Sequence, residues 1–171
     1  MISLKNSRKE SGFTLVELLI VVIILAILAA IIVPQFSAAT DDANQSAYDT
    51  NISNIRAAID LYRQQHNAFP GAVESPAGTT CPGTGAAAGG VVGQAAFLAQ
   101  LRNYTNAAGA ACTSTDSEFK YGPYLKDDLP VNPLGTVNTL TVVTTGTLGM
   151  TSGGSGGWRF DSVTGEFIGD E

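Results

Sequence analysis

Glu17 is the only charged residue between Phe13 and Val33, a run that is otherwise almost entirely apolar. A carboxylate is costly to desolvate among apolar groups, so its chemistry is to find a cation or a set of hydrogen-bond donors. Two kinds of partner are open from the sequence. One is a positively charged group outside the segment. The other is the positive end of the helix dipole together with lipid headgroups, because Glu17 lies about one turn inside the predicted helix.

Cys81 and Cys112 are the second pair of residues with a defined chemistry. Both follow the apolar run, and in an oxidising compartment they are able to form a disulfide. Closing a loop of this size would stabilise the fold by about 3 to 4 kcal/mol in the chain-entropy model. Two buried free thiols are the alternative, and we expect the disulfide.

The remaining polar residues do not indicate catalysis. His66 is the only histidine and no cysteine lies near it in the sequence, so neither a zinc site nor a nucleophile activated by histidine is indicated. Asp127 and Asp128 lie beside Lys126, which is typical of a solvated turn. We therefore expect no enzyme activity, no metal site and no cofactor.

The charge balance disfavours a nucleic-acid partner. The chain has a net charge of −6, and an acidic surface repels phosphate groups. Its basic residues beyond the apolar run are dispersed (Arg56, Arg63, Arg102, Lys120, Lys126 and Arg159). They form no continuous basic track.

The apolar run, residues 13–33, has the length and composition of a transmembrane helix, which needs about 20 residues. The short stretch before it is basic (Lys5, Arg8 and Lys9 against Glu10). By the positive-inside rule, residues 1–12 are expected in the cytoplasm and the residues after Val33 on the other side of the membrane. A cleaved secretory signal is the alternative, but the run is longer than the apolar part of a typical signal.

Helical signals continue beyond the apolar run. No glycine or proline occurs between Pro34 and Pro70, and apolar residues recur every three or four positions (Tyr48, Ile52, Ile55, Ile59 and Tyr62). This spacing places them on one stripe of a helix. Residues 34–69 are therefore predicted to be the outer half of one long helix, ended by Pro70 and Gly71.

Residues 70–171 are predicted to form a globular head. The patterns indicate a low-complexity loop (76–90), a short helix (93–104), a strand (139–144) and a terminal hairpin with arms at 158–160 and 166–168. The predicted fold class is α+β, in which the stripe of the long N-terminal helix packs against a small antiparallel sheet.

The N-terminal residues resemble the cleavage and methylation segment of type IV prepilins and of the pseudopilins of type II secretion. A basic stretch ends in Gly12, the aromatic Phe13 follows, a glutamate occupies the fifth position after that glycine, and Pro34 the twenty-second. The similarity extends from Gly12 to about Pro34 and continues more loosely to Pro70.

The resemblance implies that prepilin peptidase removes residues 1–12 by cutting between Gly12 and Phe13, and that the new amine of Phe13 is methylated. Glycine has no side chain to obstruct entry of the peptide bond into a membrane-embedded peptidase. The resemblance also implies that Glu17 pairs with the Phe13 amine of a neighbouring subunit. That pairing would set the axial register, because any other stagger leaves a buried charge unpaired.

Pro34 has a predicted role in assembly as well. Proline removes one backbone donor and crowds the carbonyl of Ala30, so we expect a bend or local melting. By resemblance, this flexibility lets the anchor helices bundle while the heads fit on the outside of a filament. A kink without functional consequence at the membrane edge is the alternative.

The implied function is that of a structural filament subunit, most similar to a major pseudopilin of type II secretion. Its implied partners are further copies of the chain, related minor subunits, prepilin peptidase and an assembly platform in the bacterial inner membrane, with the C-terminus in the periplasm or outside. Three later segments also resemble major pseudopilins (60–71, 129–135 and 157–167). Such proteins typically bind calcium through an acidic loop near the C-terminus. Here the corresponding region, residues 144–157, has no acidic residue, so no calcium is expected there.

Two alternatives remain open. A possible Cys81–Cys112 bridge resembles the bridged loops of adhesive pilins, which favours the major pilin of a type IV pilus. A monomeric, membrane-anchored domain that binds a ligand through its glycine-rich loops is the other.

Overall fold

The computed structural model describes residues 12–75, 80–83, 85–88 and 93–171. The predicted leader therefore lies outside the described residues except for Gly12, and so does part of the predicted loop at 76–90. The chain divides into two compact units, Met1–Ala43 and Asn44–Glu171.

One long helix, α1, begins at Leu15 and ends at His66. In the first unit its apolar side chains are exposed, and this part of the helix is long and apolar enough to cross a membrane. Pro34 lies inside the helix, which continues through it without a break. Of the bend or local melting predicted at Pro34, the structure therefore shows no melting.

In the second unit, the stripe predicted on α1 is the face that the head covers. Ile52, Ile55, Ile59 and Tyr62 are buried, and Tyr48 is half-buried against the same core. The helix ends at His66, and the next residue, Asn67, adopts a φ of 55°. Asparagine tolerates this left-handed conformation and commonly ends helices in this way, so the helix stops before Pro70 is reached.

Within the described residues, the head contains one short helix and two three-stranded sheets. The elements that follow α1 are β1 (Ala87–Ala88), α2 (Gln94–Arg102), β2 (Tyr104–Thr105), β3 (Ala111–Cys112), β4 (Leu140–Val143), β5 (Gly157–Asp161) and β6 (Phe167–Asp170). The first sheet is antiparallel with the order β1-β3-β2, and the second has the order β4-β5-β6. The α+β, pilin-like fold class is confirmed, as are the short helix, the strand near 140 and the terminal hairpin.

The second sheet is mixed rather than wholly antiparallel. Strands β5 and β6 pair antiparallel as the predicted hairpin, whereas β4 and β5 pair parallel, with Leu140 opposite Trp158. A parallel pair requires a crossover of about a dozen residues or more. Residues 144–156 supply that crossover, which we name the crossover loop.

The core of the head lies between α1, α2 and the second sheet. Its largest members are aromatic and fully buried (Tyr62, Phe97, Trp158, Phe160 and Phe167). The indole N–H of Trp158 donates to the carbonyl of Pro130 over 2.7 Å, so the burial of this side chain leaves no polar atom unsatisfied.

Two side chains of α1 complete the outer edge of β6. Arg56 donates to the carbonyl oxygen of Phe167 from Nη2 at 2.7 Å and from Nε at 3.1 Å. The backbone N–H of Gly169 donates to the hydroxyl of Tyr48 at 3.0 Å. A side chain at position 169 would place its Cβ 2.4 Å from the Tyr48 ring, so glycine is required for this close approach. The edge of β6 is thereby hydrogen-bonded to the helix.

Candidate functional site

Glu17 lies in the first turn of α1 and is hydrogen-bonded within its own chain. The backbone N–H and the hydroxyl of Thr14 both donate to Glu17 Oε2, at 2.8 and 2.7 Å. In return, the Glu17 N–H donates to Thr14 Oγ1 at 3.3 Å. This reciprocal arrangement is a capping box, which satisfies two N–H groups that the start of a helix leaves without helical partners.

The capping box adds a partner for Glu17 that was not considered from the sequence. The expected partners were an external cation or the helix dipole with lipid headgroups, and Thr14 was overlooked. The spacing Thr14-x-x-Glu17 ahead of an apolar run is itself the signature of a capping box. The signal was therefore present in the sequence.

Gly12 and Phe13 precede the helix, and Phe13 is exposed. A Cβ at Gly12 would meet nothing within 4 Å, and the φ of this residue does not lie in the left-handed region. Neither space nor backbone conformation within the described residues therefore requires glycine at this position.

The apolar surface of the first unit continues beyond Pro34. Val33 and Phe36 are largely exposed, and Phe36 borders a shallow groove together with Ile32 and Ala39. The structure thus places Gly12, Glu17 and Pro34 along one segment of chain whose apolar side chains have no partner among the described residues.

Cys81 and Cys112 form a disulfide, with their Cα atoms 5.7 Å apart. Cys112 is fully buried in β3 and packs with Phe119 and Ala110 in a small second cluster. The bridge ties the glycine- and alanine-rich loop to the first sheet. It lies in the second unit, whereas the candidate processing and assembly residues lie in the first.

His66 packs in the head at the end of α1. Its Nε2 lies 3.0 Å from the hydroxyl of Tyr124 and 2.9 Å from that of Thr105, and its ring stacks on Tyr62. Burial lowers the pKa of His66, so the ring is neutral at pH 7. Within the described part of the chain, no group of three or more His, Cys, Asp or Glu side chains is arranged to hold a metal ion.

The acidic turn singled out in the sequence is also accounted for by its local contacts. Asp128 forms an ion pair with Arg102, and both side chains are exposed. Such surface pairs contribute little to stability. Asp127 is exposed as well.

Comparison with protein families gives a match to the prokaryotic N-terminal methylation motif at residues 7–33. The predicted resemblance to type IV prepilins and pseudopilins is confirmed for this segment. No solved structure matches the chain significantly.

Three curated relatives are similar to the N-terminal third of the chain. The type II secretion system core protein G of Pseudomonas aeruginosa is 44% identical over 63 residues, which are 37% of this chain and 44% of that protein. The protein of the same name from Vibrio cholerae is 37% identical over 67 residues, 39% of this chain and 46% of that protein. The type IV narrow pilus major component PilA5 of Thermus thermophilus is 42% identical over 62 residues, 36% of this chain and 53% of that protein. The chain thus spans about half the length of the curated relatives it matches, or less.

Proposed function

We propose that the chain is the subunit of a type IV pilus-like filament, specifically a pseudopilin of a type II protein secretion system, and that it polymerises through its N-terminal helix. The observation that carries this proposal is the segment from Gly12 to Pro34. It combines the methylation motif with an exposed apolar helix that holds a single carboxylate. Such a surface needs lipid or a second copy of the helix to cover it.

Processing between Gly12 and Phe13 explains why position 12 is a glycine. Among the described residues nothing lies within 4 Å of a Cβ placed at Gly12, so no contact in that part of the chain calls for glycine. A peptidase that must accept an extended peptide bond at the membrane surface supplies such a requirement. Cleavage frees the amine of Phe13, which prepilin peptidase then methylates.

Glu17 changes partners in the proposed assembly step. Before assembly its carboxylate accepts hydrogen bonds from Thr14, and caps of this kind stabilise a helix by about 0.5 to 2 kcal/mol. After cleavage the Phe13 amine of a neighbouring subunit offers a full positive charge, and a stagger that leaves the desolvated carboxylate without that partner costs about 3 to 5 kcal/mol. The correct axial register is thus favoured by the free-energy difference between Glu17 paired with that amine and Glu17 without it.

The proposed organisation follows from these steps. Residues 1–12 are a cytoplasmic leader, 13–33 the membrane and filament-core helix, 34–69 the extracytoplasmic half of the helix and 70–171 the head. Before assembly, the subunit is anchored in the bacterial inner membrane with its C-terminus in the periplasm. Its partners are copies of itself, minor subunits, the peptidase and an inner-membrane assembly platform. The role is structural and includes no catalytic step, cofactor or nucleic acid.

A second candidate is the major pilin of a type IV surface pilus. The similarity to the Thermus thermophilus pilus component and the bridged Cys81–Cys112 loop favour it. Deletion of the gene separates the two. Loss of secreted proteins with surface filaments retained supports the pseudopilin, and the reverse supports the pilin.

The central test is mass spectrometry of the mature protein combined with substitution of Glu17. We expect the mature chain to begin with methylated Phe13. We expect Glu17→Ala to be processed normally but to assemble no filaments, whereas the control Asp41→Ala, which removes an exposed acid of the same unit, assembles. An intact leader, or filaments of normal yield from Glu17→Ala, would falsify the proposal.

A further inference from the structure

The crossover loop, residues 144–156, contains no acidic residue of its own, yet it is held by three carboxylates of the hairpin that follows it. They are supplied by Asp161 at the end of β5, Glu166 in the turn and Asp170 at the end of β6. Asp161 and Asp170 are almost completely buried, at 0% and 1% exposure. Buried carboxylates require partners, and the loop provides them.

Asp170 binds the second half of the loop. Its Oδ1 accepts hydrogen bonds from the hydroxyl of Ser152 at 3.2 Å and from the N–H of Gly154 at 3.1 Å. The N–H of Gly153 also donates to Oδ1, and the hydroxyl of Ser155 donates to Oδ2. Both oxygens of this carboxylate are therefore engaged by neutral donors of the loop.

Asp161 binds the first part of the loop and the hairpin turn together. Its Oδ2 accepts from the hydroxyl of Thr145 and from the N–H of Gly146, the latter at 2.9 Å. Its Oδ1 accepts from the N–H of Val163 at 2.8 Å and from that of Thr164 at 3.4 Å.

Glu166 holds the middle of the loop. Its Oε2 accepts from the N–H groups of Gly149 and Met150 at 3.0 and 2.9 Å. The three carboxylates thus fasten the loop near its beginning, middle and end.

This arrangement does not fit the calcium loop that a resemblance to major pseudopilins implies. Calcium takes six to eight oxygen ligands, including carboxylates and carbonyls. Here the groups that the loop directs at the carboxylates are N–H and O–H donors. A cation at Asp161 or Asp170 would face the backbone N–H groups of Gly146, Gly153 and Gly154, which cannot act as ligands. The described residues also include no cluster of three acidic or other ligating side chains close enough to share an ion.

We propose that Asp161, Glu166 and Asp170 form a carboxylate clasp, which closes the crossover loop through hydrogen bonds and takes the place of a bound calcium ion. The clasp depends on the ionised form of its acids, because a protonated carboxyl has fewer acceptor sites for donors. It belongs to the head and does not depend on polymerisation.

Acid is expected to open the clasp. Burial alone would raise the pKa of Asp161 and of Asp170, but the donors from the loop and turn outweigh it and hold both below their ordinary value of 3.8. A carboxyl whose pKa is lowered in the folded state contributes stability that is fully present when the pH is above the ordinary pKa. This stability is lost as the pH falls from there through the folded-state pKa. The facing charged groups are the clasp acids themselves and Arg159 of β5, whose Nη1 lies 3.9 Å from Asp170 Oδ1.

Hydrogen exchange of the full chain in detergent micelles tests the clasp, with amide protection of peptides from the crossover loop as the measurement. At neutral pH we expect the same protection in EDTA and in millimolar calcium chloride. Asp170→Asn replaces acceptor oxygen by a donor amide at nearly constant volume. It should raise loop exchange by about tenfold or more, since bonds to a charged acceptor are the stronger kind. The control Asp127→Asn removes an exposed acid outside the clasp and should leave exchange unchanged.

A second variant keeps the test informative if Asp170→Asn does not fold. Ser155→Ala removes one donor and leaves all three acids in place, so a smaller, local gain in exchange is expected. The thermal midpoint of the wild type should fall below about pH 4 and should not respond to calcium. Deprotection of the wild-type loop by EDTA, or a calcium-dependent rise in the midpoint, would overturn the proposal. So would unchanged loop exchange in both variants.

Discussion

Gln100 of α2 is the residue whose replacement should most sharply test how the head is held together. It is fully buried, and its side-chain hydrogen bonds join it to residues outside α2. Its Oε1 accepts from the N–H of Gly71 at 2.7 Å. Its Nε2 donates to the carbonyls of Val73 and Gly109 at 3.1 and 3.0 Å. One side chain thus connects the loop after α1, helix α2 and the turn between β2 and β3.

The substitution Gln100→Leu keeps the volume and removes the acceptor and both donors. It leaves the buried Gly71 N–H, the buried Gly109 carbonyl and the half-buried Val73 carbonyl without these partners, and each fully buried group costs about 1 to 3 kcal/mol. An unpaired carbonyl costs less than an unpaired N–H. The apolar surface that leucine adds offsets about 1 kcal/mol of the lost stability. We therefore expect the free energy of unfolding to fall by about 3 to 5 kcal/mol, a large part of the 5 to 15 kcal/mol typical of a small domain.

Trp158 provides the assay, because it is the only tryptophan in the chain and is fully buried in the head. Its fluorescence during denaturant unfolding of the full chain in detergent reports the head. The matched control is Gln94→Leu, the same chemical change at an exposed position of α2, and it should shift stability by less than about 0.5 kcal/mol. A loss in Gln100→Leu no greater than in the control would refute the view that these three bonds hold the segments together.

Two further pairs of variants can be measured by the same unfolding assay. The hydroxyl of Tyr62 is buried and has no hydrogen-bond partner among the described residues, so Tyr62→Phe should be neutral or slightly stabilising. Tyr48→Phe instead deprives a β6 N–H of its acceptor and should cost about 1 to 2 kcal/mol; equal effects would contradict the geometry. Gly149 and Gly165 both have positive φ, so alanine costs about 1 kcal/mol at each. Only at Gly165 would a Cβ lie 2.2 Å from the Phe69 ring, and overpacking should add about 1 to 3 kcal/mol there alone.

The elements that depend on local patterns were predictable from the sequence. The stripe from Tyr48 to Tyr62 correctly identified the buried face of α1, because burial on one side of a helix imposes a period of three to four residues. The terminal hairpin was predicted for a similar reason, since alternating apolar residues flank a turn of Ser162 to Gly165. The apolar run identified the segment able to cross a membrane.

Features that depend on contacts between distant residues were not predictable. The parallel pairing of β4 with β5 is set by how the crossover loop returns to the sheet, and no residue in the loop signals its direction. Gln100 lies within the short helix predicted at residues 93–104, and no local pattern marks its side chain. Its three partners come from segments that only the folded chain brings together.

Glu17 and the acids that hold the crossover loop show how the partners of a carboxylate can be misjudged from sequence. An external cation, or the helix dipole with lipid headgroups, was expected for Glu17, and the absence of acids from the crossover loop was interpreted only as the absence of calcium. In both places the structure satisfies carboxylates with neutral donors of the chain itself, Thr14 in one and the loop amides and hydroxyls in the other. The two sites differ in exposure. Glu17 is exposed in the single chain, so its cap can be exchanged for another partner, whereas Asp161 and Asp170 are enclosed and cannot change partners without opening the head. This difference fits Glu17 for assembly and the two buried acids for holding a fixed structure.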